Sequence, residues 1–184
     1  MNVTQSQTHF YVVVNRNANT NRPLKETWRD SSGDLQSYGD SPAIVEYDEL
    51  TGNVTRRVWI HENAMHRVGG PALENIDPNT KVVTYEAWFE HGKTHRSGDL
   101  PAVIERDEKT GKVTVEAFFE HGKRHRASGP ALYGYHQDTG RKIVVSYWQN
   151  GRQVLKLRIP TKPVTDSDLN PAICSDLKSA RIPI

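Results

Sequence analysis

The chain has a single cysteine in 184 residues, Cys174, which excludes a disulfide framework and a cysteine-built zinc cage. Long apolar runs are missing as well. The N-terminal segment Phe10 to Val14 is too short for a secretion signal or a membrane span, which predicts a cytoplasmic protein. Hydrophobic residues are only 35% of the chain, too few for a thick core and better suited to a thin array. Neither sign of charge dominates: 24 Lys and Arg face 22 Asp and Glu, a net +2. The concentrated basic surplus of most nucleic-acid-binding domains is therefore absent. No Walker-type glycine loop, GxSxG, HExxH or CxxC occurs, and no unique set of catalytic or metal-ligating residues stands out. The expectation is a protein that is not an enzyme and needs no cofactor.

What is present is repetition. WIHENAMHRVGGPA from Trp59, WFEHGKTHRSGDLPA from Trp88 and FFEHGKRHRASGPA from Phe118 are versions of one phrase. The Pro-Ala pairs begin at Pro42, Pro71, Pro101 and Pro130, giving spacings of 29, 30 and 29 residues. A period in this range marks stacked supersecondary units. Internal offsets are stricter still. A Thr follows each of these prolines by nine residues (Thr51, Thr80, Thr110, Thr139), and an aromatic follows each Thr by eight (Trp59, Trp88, Phe118, Tyr147). The one insertion falls in SGDL before Pro101, which marks that connection as surface.

Each unit reads as a β-hairpin. PAVIERD (101–107) is a short strand, EKTG (108–111) a tight turn, and KVTVEAFFEHG (112–122) a longer second strand. Glycine supplies the positive φ the turn needs; in PNTK (78–81), which lacks it, Asn79 is expected to supply it earlier in the turn. Alternation puts Val113, Val115, Ala117 and Phe119 on a face expected to be buried, and Thr114, Glu116, Phe118 and Glu120 on an amphipathic one. The organisation predicted is a strand over 9–14, an Asn-rich loop and a degenerate capping unit within 1–40, hairpin repeats over 41–152, and a final strand and tail over 153–184. A short helix after Asn170 and an extended arm are alternatives for the tail. The fold class is all-β: an elongated antiparallel sheet of stacked hairpins with a short non-repeated C-terminal tail.

Equivalent residues of such an array form rows. His66-Arg67, His95-Arg96 and His125-Arg126 are one set. A hairpin advances the chain by two strand spacings, roughly 9–10 Å, so imidazoles at equivalent positions cannot share a metal bonded at about 2 Å. The expectation is no metal site. A residue that recurs in every unit is best explained by a recurring internal contact: His to a backbone carbonyl before Pro-Ala, and Arg to Glu90 or Glu120 of its own unit. His91 and His121 read as solvated loop residues. The aromatic row Trp59, Trp88, Phe118 and Tyr147 either closes a second small core or stands open between cations. With Arg67, Arg96 and Arg126 it is the candidate partner-binding surface, since aromatics and Arg anchor interfaces. A row of this kind also suits phosphates or stacked bases, which makes nucleic acid the alternative partner. A homodimer through an open sheet edge is a further expectation.

The segments EHGKTHRSGDLPA and EHGKRHRASGPA, each after an aromatic strand, resemble the NGKxHRxxGPA repeats, relatives of the MORN and MORN-variant repeats of bacteriophage, giant-virus and bacterial proteins. The resemblance covers residues 41–152. It implies a chain of antiparallel hairpins and a role in binding proteins. Units here are longer than standard MORN repeats, and the paired glycines of that pattern are absent, so lipid binding is not carried over. The distribution of the repeat implies a phage accessory or anti-defence protein that binds and inhibits a host protein in the host cytoplasm, with the tail from Pro160 as a clamp.

Overall fold

The computed structural model describes residues 9–155. The expected last strand beyond residue 155, the helix after Asn170, the tail clamp and Cys174 lie outside the described residues. Those described are all-β, without a helix, and so without one long and apolar enough to cross a membrane. In chain order the strands are β1 (Tyr11–Arg16), β2 (Pro23–Arg29), β3 (Ile44–Tyr47), β4 (Val54–Val58), β5 (Ile60–His61), β6 (Ala64–Met65), β7 (Leu73–Ile76), β8 (Val83–Ala87) and β9 (Phe89–Glu90). They continue as β10 (Lys93–Thr94), β11 (Val103–Arg106), β12 (Val113–Ala117), β13 (Phe119–Glu120), β14 (Lys123–Arg124), β15 (Leu132–Tyr135), β16 (Lys142–Gln149) and β17 (Arg152–Val154). Eleven form one antiparallel sheet in the order β1-β2-β3-β4-β7-β8-β11-β12-β15-β16-β17. The other six form three two-stranded ribbons, β5–β6, β9–β10 and β13–β14.

The turn chemistry explains the hairpins. In β3–β4, Asp48 N–H donates to Asn53 O and Gly52 N–H to Asp48 O. The Asp48 carboxylate accepts from Thr51 through both backbone and hydroxyl. Asp77 and Asp107 repeat this with Thr80 and Thr110, so the recurrent Thr ties down the loop through its Asp partner. Positive φ falls on Gly52, Lys81, Gly111 and Gly140. In the second unit Lys81, not Asn79, takes the left-handed position: the Asp77 hydrogen bonds fix where the chain must bend, and Asn79 lies two residues too early.

The N-terminal segment is more regular than its sequence suggests. Asn17 N–H donates to Arg22 O, Asn21 N–H to Asn17 O, and Asn17 Oδ1 accepts from Asn19 and Thr20. With Asn21 at φ 56°, this is the same loop built with Asn in place of Asp and Gly. β1–β2 is thus a complete hairpin of the array, and the Asn-rich loop is its turn. All five hairpins carry one register shift beside the turn, with the extra residue on the second strand.

The second strand does not run straight through its aromatic residue. Trp88 N–H donates to Ala102 O of the next unit, while Trp88 O accepts from His95 N–H of its own unit. Trp59 and Phe118 behave alike. At each the chain leaves the main sheet and folds into a small ribbon, so the expected single strand over 112–122 is two, β12 and β13. The ribbons turn on pairs of residues with positive φ: Glu62-Asn63, His91-Gly92, His121-Gly122 and, between β16 and β17, Asn150-Gly151. Such pairs make two-residue hairpins. Each ribbon is tied to the one before it, Gly92 N–H to Met65 O and Gly122 N–H to Thr94 O.

Burial follows from a sheet one layer thick. The alanines of Pro-Ala (Ala43, Ala72, Ala102, Ala131) and Ala87 have 0% exposure, and no large side chain is fully buried. Val113, Val115 and Phe119 are half-buried while Phe118 is buried, so the face expected to be covered is not: among the described residues no second layer lies over either side. Each Pro-Ala alanine donates to the second strand of its own hairpin and accepts from the aromatic residue of the preceding unit. It is therefore the crossing point between units. Replacing Ala102 by Leu should overpack this crossing and cost about 1–3 kcal/mol, read as a lowered urea midpoint with an unchanged slope.

Candidate functional site

The site grows from the ribbon turn. Arg67, Arg96 and Arg126 each lie eight residues after their aromatic, and the two-residue turn between brings Arg back over the ring. The guanidinium carbon sits 3.8 Å from the ring centroid in all three units: Arg67 on Trp59, Arg96 on Trp88, Arg126 on Phe118. Contacts of this kind contribute about 0.5–2 kcal/mol each. One further guanidinium hydrogen bond recurs, from Nη1 to the carbonyl of Pro71, Pro101 or Pro130. Trp59 and Phe118 are 4% and 6% exposed, so in these units the aromatic row is a small core with an Arg lid. Trp88 and Tyr147 are half-buried.

Two of the lids are held from the preceding unit. Arg67 donates from Nε and Nη2 to the two carboxylate oxygens of Asp40, at 2.8 and 2.9 Å. Arg126 does the same to Asp99, at 2.8 and 3.0 Å, and Ser128 Oγ adds a third donor at 2.6 Å. These hydrogen bonds hold the Asp99 carboxyl down at about 2, from the ordinary 3.8; Asp40 is lowered by its bond to Arg67 in the same way. The expected Arg pairing with Glu90 or Glu120 is not found. Those carboxylates lie instead 3.6 and 3.4 Å from Nε2 of His95 and His125, which follow two residues after Lys93 and Lys123, the ribbon partners of Glu90 and Glu120.

The histidines also depart from expectation. The Nδ1 of His66 accepts from His91 N–H, and that of His125 from Asn150 N–H, both at 3.3 Å. His therefore receives a backbone hydrogen bond from the next unit instead of donating to a carbonyl. His91 and His121 are exposed, but each stacks on the His of the unit before, His91 on His66 at 4.6 Å and His121 on His95 at 4.5 Å. Glu90, His95 and His121 bring ligand atoms within 4.8 Å of one another. A metal lies in the plane of each imidazole it binds, at about 2 Å. Rings only 4° from parallel present their lone pairs side by side, so this trio is arranged for stacking.

Four shallow grooves follow the Arg row, of about 400, 350, 360 and 300 Å³. Arg67 lines the first and second, Arg96 the second and third, Arg126 the third and fourth. The grooves thus adjoin, with an Arg at each boundary. Val68, 85% exposed, stands between the first two. Of the candidate residues, Trp59, Trp88, Phe118, Arg67, Arg96 and Arg126 come together in this track, and Tyr147 lines its last groove. Asp40 and Asp99 were missed. Their signal is an Asp two residues before Pro42 and Pro101, which is invisible in a consensus because Gly69 and Ser128 replace it in the other units.

No family model, curated protein or solved structure matches this chain.

Asp99 provides a solution test of the clamp. A carboxyl depressed in the folded state stabilises fully above its unfolded value near 3.8 and loses that contribution as pH falls toward 2. The carbon-detected titration of Asp99 should have its midpoint at about 2, and Arg126→Gln should return it toward 3.8. A wild-type midpoint near 3.8 would show that the pair does not persist in solution.

Proposed function

We propose that this chain is a non-enzymatic protein-interaction module that receives an extended segment of a partner along the groove track. The observation that carries the proposal is the set of adjoining grooves bounded by Arg67, Arg96 and Arg126. A track of like concavities suits a chain-like ligand, in the way repeat arrays commonly bind. The carboxylates near the track sit in repeated surroundings, Glu90 and Glu120 each beside a His. A catalytic acid and base need environments that differ. With the resemblance of the repeat to phage, viral and bacterial sequences, the proposal extends to a phage accessory protein that inhibits a host protein in the host cytoplasm. Self-association would use the open edge of β1, where Tyr11, Val12 and Val13 are exposed.

The alternative of a phosphate or nucleic-acid ligand is less well supported. Two of the three guanidiniums in the row are already neutralised by Asp40 and Asp99, and only unpaired cations release counterions from a phosphate backbone.

Affinity capture from host lysate tests the proposal. Wild type should retain a reproducible partner. Val68→Asp, on the rim of the track, should lose it by tenfold or more, whereas Leu50→Asp, equally exposed but in the β3–β4 turn, should keep it. No partner, or equal capture by both variants, would count against the track; binding to nucleic acid that weakens steeply with salt would favour the alternative.

A further inference from the structure

The three guanidinium lids differ in one respect. Arg67 and Arg126 each reach back 27 residues to an Asp, at positions 40 and 99. The same step from Arg96 arrives at Gly69. Arg96 is posed like the others, 3.8 Å above Trp88 with Nη1 donating to Pro101 O at 3.1 Å. Among the described residues no carboxylate pairs with it, and its Nε and Nη2 have no acceptor. The Trp88 indole N–H likewise has no acceptor among the described residues, whereas that of Trp59 donates to Asp40 O at 2.9 Å. Gly69 lines the same groove as Arg96 and Trp88, and a Cβ built on it would meet nothing within 4 Å.

We infer that the groove between Gly69, Trp88 and Arg96 is a receptor for one carboxylate of a protein partner, an Asp or Glu side chain that takes the place Asp40 and Asp99 occupy in the neighbouring units. The chain itself displays the bound state twice: a planar carboxylate, two parallel hydrogen bonds from Nε and Nη2, and the guanidinium flat on an aromatic ring. Bidentate pairs of this geometry are strong and directional. Here the donor edge is already oriented by the ring below and the proline carbonyl, so little side-chain freedom is lost on binding. Burial lowers the Arg96 pKa, and the Glu86 carboxylate offsets only part of that, being itself paired with Arg106 at 2.6 Å. Glu90 on the groove wall is 3.6 Å from His95 and belongs to the ribbon of the Arg96 unit, whereas Gly69 belongs to the preceding one. Val68, exposed beside Gly69, offers apolar contact to the residues flanking the acid.

This deepens the interaction proposal and rests on it for the nature of the ligand, but it is tested without the partner. The probes are the blocked peptides acetyl-Gly-Glu-Gly-amide and acetyl-Gly-Gln-Gly-amide and inorganic phosphate, at fixed ionic strength, with Arg Nε–H and Trp indole N–H resonances observed. The Glu peptide should shift Arg96 and Trp88 together and saturably, in the millimolar range expected of a single ion pair, with Arg67 and Arg126 unmoved. Gly69→Asp supplies the acid internally; Asp99 already adopts φ 55° at the equivalent position, against 80° for Gly69. That variant should show the shifted Arg96 resonance without peptide and respond to none, and Arg96→Gln should abolish the Trp88 shift while the other units keep their spectra. An equal response to the Gln peptide or to phosphate, or an equal response of all three Arg, would overturn the inference. So would a captured partner that binds Gly69→Asp as well as wild type. If capture finds no partner while the Glu peptide still shifts Arg96, the interaction proposal fails and the carboxylate site stands.

Discussion

Among the described residues the β-sheet is one layer thick with nothing packed on its faces, and the contact of a guanidinium with the aromatic ring beneath it is what closes it. Sheets usually bury a face on a second layer. Here only small side chains are fully covered, and the large rings of Trp59 and Phe118 are sheltered by Arg67 and Arg126. Arginine suits the task because its plane lies flat on an apolar surface while its edges stay available for hydrogen bonds. The cover is made locally, by a chain reversal eight residues long, so the Trp59 and Phe118 units each carry their own small core.

Stability in such an array is close to a sum over units and the interfaces between neighbours. The interfaces here have three layers: backbone pairing through the Pro-Ala alanine, the hydrogen bond from each ribbon-turn glycine to the ribbon before, and the Arg–Asp pair. The first recurs at every junction of the regular part, the last only where an Asp precedes Pro-Ala. The places where repetition lapses are thus the places with free chemistry, and a guanidinium that is internally satisfied in two units becomes available in the third.

Much of the hairpin architecture was legible because its determinants are local. The Thr-Gly turns, the Pro-Ala pairs and strict alternation define strands and spacing without reference to tertiary contacts. The break at the aromatic was not legible, since alternation continues unbroken through Phe118, Phe119 and Glu120 while the hydrogen bonds change partner. The first hairpin was obscured because Asn17 and Asn21 perform the roles of Asp and Gly with different letters. Lys81 in a left-handed conformation was unforeseeable from propensity, being imposed by the Asp77 loop. The aromatic and Arg rows are visible in the sequence as recurring positions, but the stacking of each Arg on its ring needs the ribbon reversal, and the pairing to Asp40 and Asp99 depends on which unit leans on which, a fact of stacking that no single unit encodes.

The direction of that leaning has a consequence for synthesis. In the ribbon row, each new unit donates to acceptors already laid down: Gly92 to Met65, His91 to His66, Arg126 to Asp99. A hairpin emerging from the ribosome meets a finished template on its N-terminal side, and the contacts it needs lie within about one repeat of chain. Growth can proceed vectorially, each unit annealing on the last.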